Sequence, residues 1–531
     1  MRLRRGSAGP RRAAAALLAA AGAAGTVVAA SAAVAAAGPP QSCRLDGLPQ
    51  AALCGVIKRP LDPAQPQGVR IDVHYAVVPA LARHKADDAV FFFAGGPGQS
   101  AIDLAGPLAA RYGRLNQRRD LVFIDQRGTG RSAPLKCADD DERAALLPLA
   151  ERADEARRLP RLRACRQALQ ALPYGDLRFF TTELASGDVD AVRHALGVPR
   201  LNAIGASYGT RAVLDYQRQF PARVRRAVLD GVAPPDMRLA DSAAHDNQAA
   251  LDALLAACAA EPACAGRHPQ LRAQWAALLA KLPHAVQLPH PVSGRIETIR
   301  MQRGTLLALV RAPLYAPQLA SALPVAIDEA DAGRWAPLAA LAQAVGGSGA
   351  GGLFSGMHFS VVCAEDLGPG APPLAAADAG ATRSPPNTAN TATKASQATG
   401  TDFGDSFARL YREVCADWPR GAVSPAFYTL PPATAPVWLL SGGLDPVTPP
   451  RHAARVARAL GPKARHTVVN NAGHGVAALG CVRDAVMRFI TTADDAQALA
   501  ADASCAAAVP RPPAFVPPGA GALPAAAGVS R

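Results

Sequence analysis

Three residues, widely separated along the chain, have the types that nucleophilic acyl transfer requires: a serine, an aspartate and a histidine. Ser207 lies in Gly205-Ala206-Ser207-Tyr208-Gly209, a Gly-x-Ser-x-Gly pentapeptide. Leu201–Ile204 before it is short and apolar, and Ala212, Val213, Tyr216 and Phe220 after it recur at helical spacing. Strand, tight turn and helix are the context in which this pattern presents a nucleophile above a sheet edge. With 46 glycines in the chain, a bare match is a modest signal, and the flanking elements give it weight. Asp445 follows the apolar run of PVWLLSGGLDPVTP, and His474 follows that of HTVVNNAGHGV. A serine hydroxyl is a poor nucleophile until a base accepts its proton, which is the role expected of His474. Asp445 would hold the imidazole in the useful tautomer and stabilise its cation. The developing oxyanion needs donors. The backbone N–H of Tyr208 and that of Gly96, in Ala94-Gly95-Gly96-Pro97-Gly98, are the candidates.

These residues need elements to position them. Apolar runs at Leu53–Lys58, Ala89–Phe93, Leu121–Ile124, Leu201–Ile204, Val224–Leu229, Pro436–Leu440 and His466–Val469 read as strands. Val69–Val78 alternates apolar and polar residues, as a half-exposed strand does. Helical stretches separate them at Asp139–Leu172 and Asp188–Leu196. Alternation of this kind predicts an α/β fold with a parallel core, and each chemical residue falls just past the carboxyl end of a strand. From about Asp236 the chain turns Ala/Leu-rich and helical, over Ala243–Leu282 and Gly304–Val345. This predicts a core at 38–235 and 433–505 with a largely helical cap, 236–432, inserted between core strands. Within the cap, 346–352 reads as a glycine-rich hinge and 367–401 as a disordered insert, poor in apolar anchors. The segment 506–531 reads as a flexible tail.

The 531 residues, half of them hydrophobic, exceed one ordinary domain. Residues 1–37 combine an arginine-rich head, an uncharged Ala-rich run and Ala35-Ala36-Ala37, the pattern of a secretory signal peptide. The length of the run would also suit an uncleaved anchor, but alanine is only weakly apolar. Removing its five arginines lowers the formal net charge of +14 by five, to +9. The remaining basic residues are scattered and not interleaved with aromatics, which argues against a nucleic-acid partner. All ten cysteines follow residue 37, and none forms a Cys-x-x-Cys pair. Disulfides in an oxidising compartment account for them better than a metal site does. Sequence alone leaves the connectivity open; pairing of neighbours in chain order is the expectation. Neither a cofactor nor a metal is expected.

GGPG after a strand, DQRGTGRS, GASYGT, SGGLDPVTP and NAGHG together resemble the α/β-hydrolase family of prolyl aminopeptidases and secreted tripeptidyl aminopeptidases. MHFSVVCAED at Met357–Asp366 and VCADWP at Val414–Pro419 resemble the secreted branch, with its TAP-like C-terminal region. The resemblance covers most of the chain after residue 37. Two departures are Ala94, where the family often has a polar residue, and the insert at 367–401. The resemblance implies an α/β-hydrolase fold. It also implies an exported, periplasmic or extracellular serine exopeptidase acting on peptides with free N-termini, without stable membrane insertion once the signal is removed. Such an enzyme must bind an ammonium group, for which a carboxylate in the cap is the physical means; Glu365 is the first candidate and Asp366 the second. His358 nearby is expected to be packed rather than a second base. An esterase or other small-molecule hydrolase with the same triad is the alternative, since fold and triad do not set the substrate. A non-catalytic envelope protein is a third reading, opposed by the presence of Ser207, Asp445 and His474.

Overall fold

The computed structural model describes residues 38–346, 352–373 and 400–517. The expected signal peptide, most of the glycine-rich hinge, most of the insert and the end of the tail lie outside these residues.

The strands are, in chain order, β1 (Gln41–Cys43), β2 (Ala52–Pro60), β3 (Arg70–Val78), β4 (Ala89–Phe93), β5 (Leu121–Ile124) and β6 (Leu201–Ala206). After them come β7 (Val224–Asp230), β8 (His284–Pro289), β9 (Ile296–Met301), β10 (Val437–Gly442) and β11 (Ala464–Val469). Nine of them form one sheet in the order β1-β2-β3-β5-β4-β6-β7-β10-β11. β1, β2 and β3 pair antiparallel, and β3 joins β5 antiparallel. From β5 to β11 every pairing is parallel. Parallel strands covered on both faces must be apolar on both, so AVFFF, LVFI and VWLLSG read as unbroken runs.

Side-chain alternation sorts these runs into two layers. Phe91, Val122, Leu229 and Leu439 face one core with Val213 and Tyr216 of helix Tyr208–Gln219. Phe92, Phe123, Val228 and Trp438 face the other with Phe489 and Ile490 of helix Gly480–Thr491. Each such buried side chain contributes roughly 1.5–3 kcal/mol relative to exposure.

Between β7 and β10 the chain leaves the sheet. Its first part, from helix Leu239–Ala260 through helix Ala336–Gly346, has a core of its own around Leu251, Trp275, Val310, Leu323 and Trp335. That part also contains the antiparallel hairpin β8–β9, which the Ala/Leu-rich reading did not anticipate. The second part differs. Met357, Val361 and Val362 of helix Ser355–Glu365 and Val414 of helix Ser406–Asp417 join the main core, beside sheet residues. The segment expected as one cap therefore packs in two ways.

The ten cysteines form five disulfides between neighbours in chain order: 43–54, 137–165, 258–264, 363–415 and 481–505. Cys363–Cys415 joins helix Ser355–Glu365 to helix Ser406–Asp417 across a sequence separation of 52.

Candidate active site

The parallel order β4-β6-β7-β10-β11 brings five carboxyl ends to one edge of the sheet. β4 runs into the glycine loop, β6 into Ser207, β7 ends on Asp230, and β10 and β11 lead to Asp445 and His474. Register keeps the ends level: Phe93 pairs with Gly205, Ala206 with Asp230, and Gly442 with Val469.

Ser207 has φ 56° and ψ −126°, a conformation that costs a non-glycine residue on the order of 1–3 kcal/mol. It is held there from both sides. Its N–H donates to the Asp230 carbonyl at 2.8 Å, and its carbonyl accepts from the Thr210 hydroxyl at 2.6 Å. Helix Tyr208–Gln219 begins immediately after it, so the Tyr208 N–H has no intrahelical partner and is open to an oxyanion. A Cβ on Gly209 would lie 2.1 Å from the Phe93 carbonyl oxygen, so the helix can approach β4 only with glycine there. The Tyr208 ring is buried, and its hydroxyl bonds Thr182 Oγ1 at 2.7 Å and accepts from Gln126 at 2.8 Å. These bonds fix the residue that carries the expected oxyanion donor.

The glycine loop comes up against Ser207: a Cβ on Gly95 would lie 3.3 Å from Ser207 Cβ. Gly96 has φ +109°, open to glycine almost alone. Asp125, from the DQRGTGRS stretch, ties this loop down by accepting from Ser100 Oγ at 2.6 Å and the Ile102 N–H at 3.1 Å. Arg127 of the same stretch is buried on Asp188, at 2.7 Å and 2.9 Å. His358 also holds the loop: its Nδ1 lies 3.2 Å from the Pro97 carbonyl and its Nε2 2.7 Å from the Tyr411 hydroxyl. Burial lowers its pKa to about 4, so it stays neutral, a packed histidine as expected.

Asp445 and His474 are brought together. Asp445 Oδ2 accepts from His474 Nδ1 at 2.7 Å and from the Thr448 hydroxyl at 2.7 Å; Oδ1 accepts from the N–H groups of Val447 and Thr448, both at 2.9 Å. Burial opposes the charge of Asp445, but the histidine and these donors outweigh it, and its pKa lies below the ordinary value. Burial likewise opposes a His474 cation. Asp445 and, further off, Asp230 outweigh it and raise the histidine's pKa above 6.5. Asp230 anchors the histidine loop, accepting from Val476 and Ala477 N–H at 2.8 Å each. The inserted segment contributes Tyr315, whose carbonyl accepts the His474 N–H at 2.9 Å and whose ring meets the imidazole edge-on at 5.3 Å.

Glu365 and Asp366 are not placed as expected. Both are 1% exposed. Glu365 accepts from the Thr182 N–H at 2.7 Å and its hydroxyl at 2.9 Å. Asp366 accepts from Arg211 at 2.6 Å and from the Leu239 N–H at 3.0 Å. Arg211 reaches Glu365 more loosely, at 3.4 Å. The two carboxyls therefore form a buried network behind Tyr208 instead of a free anion facing a substrate amine. Burial raises the pKa of both, that of Glu365 to about 7, because one guanidinium serves two carboxyls.

Asp230, Thr448 and Tyr315 escaped the reading of the sequence. Thr448 had a signal, as the residue three after Asp445, within reach of a turn's side-chain bond. Asp230 had a weaker one, as the last residue of a strand next to the nucleophile's. Tyr315 had none.

Residues 88–313 match the family model described as alpha/beta hydrolase fold, and residues 400–505 the one described as TAP-like protein. The tripeptidyl aminopeptidase of Streptomyces coelicolor is 32% identical over 209 residues, 37% of this chain and 38% of that one. The serine protease Hip1 of Mycobacterium tuberculosis is 31% identical over 208 residues, 36% of this chain and 37% of that one. These two alignments thus span little more than a third of either relative. Carboxylesterase B of Mycobacterium tuberculosis is 29% identical over 471 residues, 83% of this chain and 84% of that one. With its parallel sheet, its strained serine between β6 and a helix, and these two matches, the chain belongs to the α/β-hydrolase family and carries a TAP-like C-terminal region.

Proposed function

We propose that the protein is an exported serine exopeptidase that releases residues or short peptides from free N-termini through an acyl-enzyme on Ser207. The observation that carries this reading is the Asp445–His474 pair on loops of the same sheet edge that presents Ser207 at φ 56°. In the reaction, His474 Nε2 accepts the Ser207 proton as Oγ attacks the scissile carbonyl. Asp445 keeps the proton of the imidazole on Nδ1 and stabilises the cation. The Tyr208 and Gly96 N–H groups receive the oxyanion, a contribution on the order of 3 kcal/mol per donor. His474 then protonates the leaving amine, and a water activated by the same base releases the acyl group. The inserted segment reaches the histidine through Tyr315 and so stands over the site, where it limits access to chain ends. The names of the Streptomyces and Hip1 relatives support peptides as substrates. Export is supported by the basic, Ala-rich first 37 residues and by five disulfides.

One observation favours a second reading, esterase activity: carboxylesterase B aligns along most of both chains. Free and N-acetylated peptide p-nitroanilides assayed beside a p-nitrophenyl ester separate the two. Exopeptidase activity predicts turnover of the free peptides, several-fold or more above the acetylated ones, and its loss in Ser207→Ala by several orders of magnitude. Turnover of the ester alone would establish the second reading. A fluorophosphonate that still labels Ser207→Ala would remove the serine from both.

A further inference from the structure

A cavity of about 890 Å³ lies between helix Glu155–Gln170, helix Arg303–Leu314 and helix Ser406–Asp417. Two observations connect it to the catalytic edge. Arg311, which lines it, lies four residues before Tyr315, about one helical turn from the carbonyl that holds His474. Phe359, which also lines it, follows His358, the residue bonded to Pro97 of the glycine loop.

Several charged groups of the lining already have partners. Asp139 is paired with Arg161 at 2.8 Å. Asp140 accepts from the Ser355 N–H at 2.8 Å and also bonds its hydroxyl. Glu155 accepts from the Thr305 N–H at 2.7 Å. Arg158 and Arg311 both line the cavity and feel each other's charge, yet neither forms an ion pair with an acidic side chain among the described residues. Arg311 lies over the Phe407 ring at 5.4 Å, which orients its guanidinium without neutralising it. Arg158 is accessible from the cavity although protein surrounds it, and that burial lowers its pKa. Glu155 opposes the charge of Arg158 without forming an ion pair with it, and Glu413 is exposed. Two like cations that line one recess are an arrangement that a carboxylate relieves, through the paired N–H groups of each guanidinium.

We propose that Arg158 and Arg311 bind a carboxylate of the peptide substrate in this cavity, so that the enzyme prefers acidic or short free-acid peptides. The inference rests on the exopeptidase reading and names its substrate class. The carboxylate has two possible sources, the C-terminus of a short peptide or an Asp or Glu side chain, and the test separates them.

The experiment compares kcat/KM for a short neutral peptide as free acid and as C-terminal amide, and for amidated peptides differing only in Glu against Gln. The inference expects a preference of at least tenfold for the charged member of one pair in the wild type. The pair that shows it names the source. No preference in either pair overturns the inference without any variant being made. In Arg158→Gln/Arg311→Gln the ratio should collapse toward one, and in Arg311→Lys it should fall part of the way. A ratio unchanged in the double variant also overturns it. If no peptide is turned over, the exopeptidase reading fails separately. The same peptides are then titrated calorimetrically into the full-length protein, where equal affinity for charged and neutral members sinks the carboxylate site as well.

Discussion

Asp445 and Glu365 are both buried carboxyl groups on the Ser207 side of the sheet edge, and their pKa values are shifted in opposite directions. Asp445 has four donors on its two oxygens, one of them the imidazole that it must keep oriented. Its pKa lies below the ordinary value despite burial. Glu365 has Thr182 and a distant share of an arginine that Asp366 holds more closely, and burial raises its pKa to about 7. Burial penalises both charges; the number and ownership of the donors decides which group keeps its charge. The comparison separates a carboxylate fit for polarising a histidine from one fit for holding a fold together.

The largest effect that this contrast predicts is catalytic. Asp445→Asn should lower kcat by roughly 10³–10⁴-fold with the fold intact, because the wrong tautomer of His474 is then favoured. Glu365→Gln should leave kcat within about tenfold of the wild type. Steady-state kinetics on one chromogenic substrate measures both, and a larger loss in Glu365→Gln would invert the distinction.

Stability should answer the other way. A carboxyl raised from 4.5 to about 7 in the folded state holds its proton longer there than in the unfolded chain. Its contribution is complete below pH 4.5 and is lost as the pH rises toward 7, on the order of 3 kcal/mol in all. Asp445, with its pKa lowered, has the opposite sign: its contribution is present above the unfolded-state value and is lost as the pH falls through the folded one. Thermal unfolding of the wild type and Glu365→Gln between pH 4.5 and 7.5 should show the wild type losing ground to the variant as the pH rises. Parallel curves would mean that Glu365 ionises normally.

Two smaller effects sharpen the Asp445 side. Thr448→Val removes one of the four donors and should cost about 1–2 kcal/mol of transition-state stabilisation, near tenfold in kcat/KM. An unchanged rate would make the other three donors sufficient. The acid limb of the kcat/KM profile should lie above pH 6.5, since Asp445 raises the pKa of His474 and only the neutral imidazole can act as base. In Thr448→Val a weaker hold on the Asp445 charge should move that limb by less than one pH unit. A wild-type limb below 6.5 would show that burial prevails over the aspartate at His474.

Much of the fold could be read from the sequence because parallel strands buried on both faces leave runs such as AVFFF and VWLLSG that few other elements resemble. β1 has only three residues at a sheet edge, and HAVQLP and IETIRM carry an alternation hidden in a helix-rich region, so β1 and the β8–β9 hairpin were missed. At the site, Ser207, Asp445 and His474 announced themselves because each follows an apolar run and a small-residue turn. The surroundings of Glu365 were not legible, since its donors come from Thr182 and Arg211, more than 150 residues away. Local sequence says that a residue is acidic; only the fold says how many donors it must share.

The Cys363–Cys415 disulfide bears on how the protein withstands proteolysis. No other disulfide crosses that interval. A nick anywhere between these cysteines leaves two polypeptides tethered by this one bond. The N-terminal fragment keeps Ser207, and the C-terminal fragment keeps Asp445 and His474. On a denaturing gel the nicked protein would migrate as one species until reductant is added, and only then would Ser207 and His474 part company.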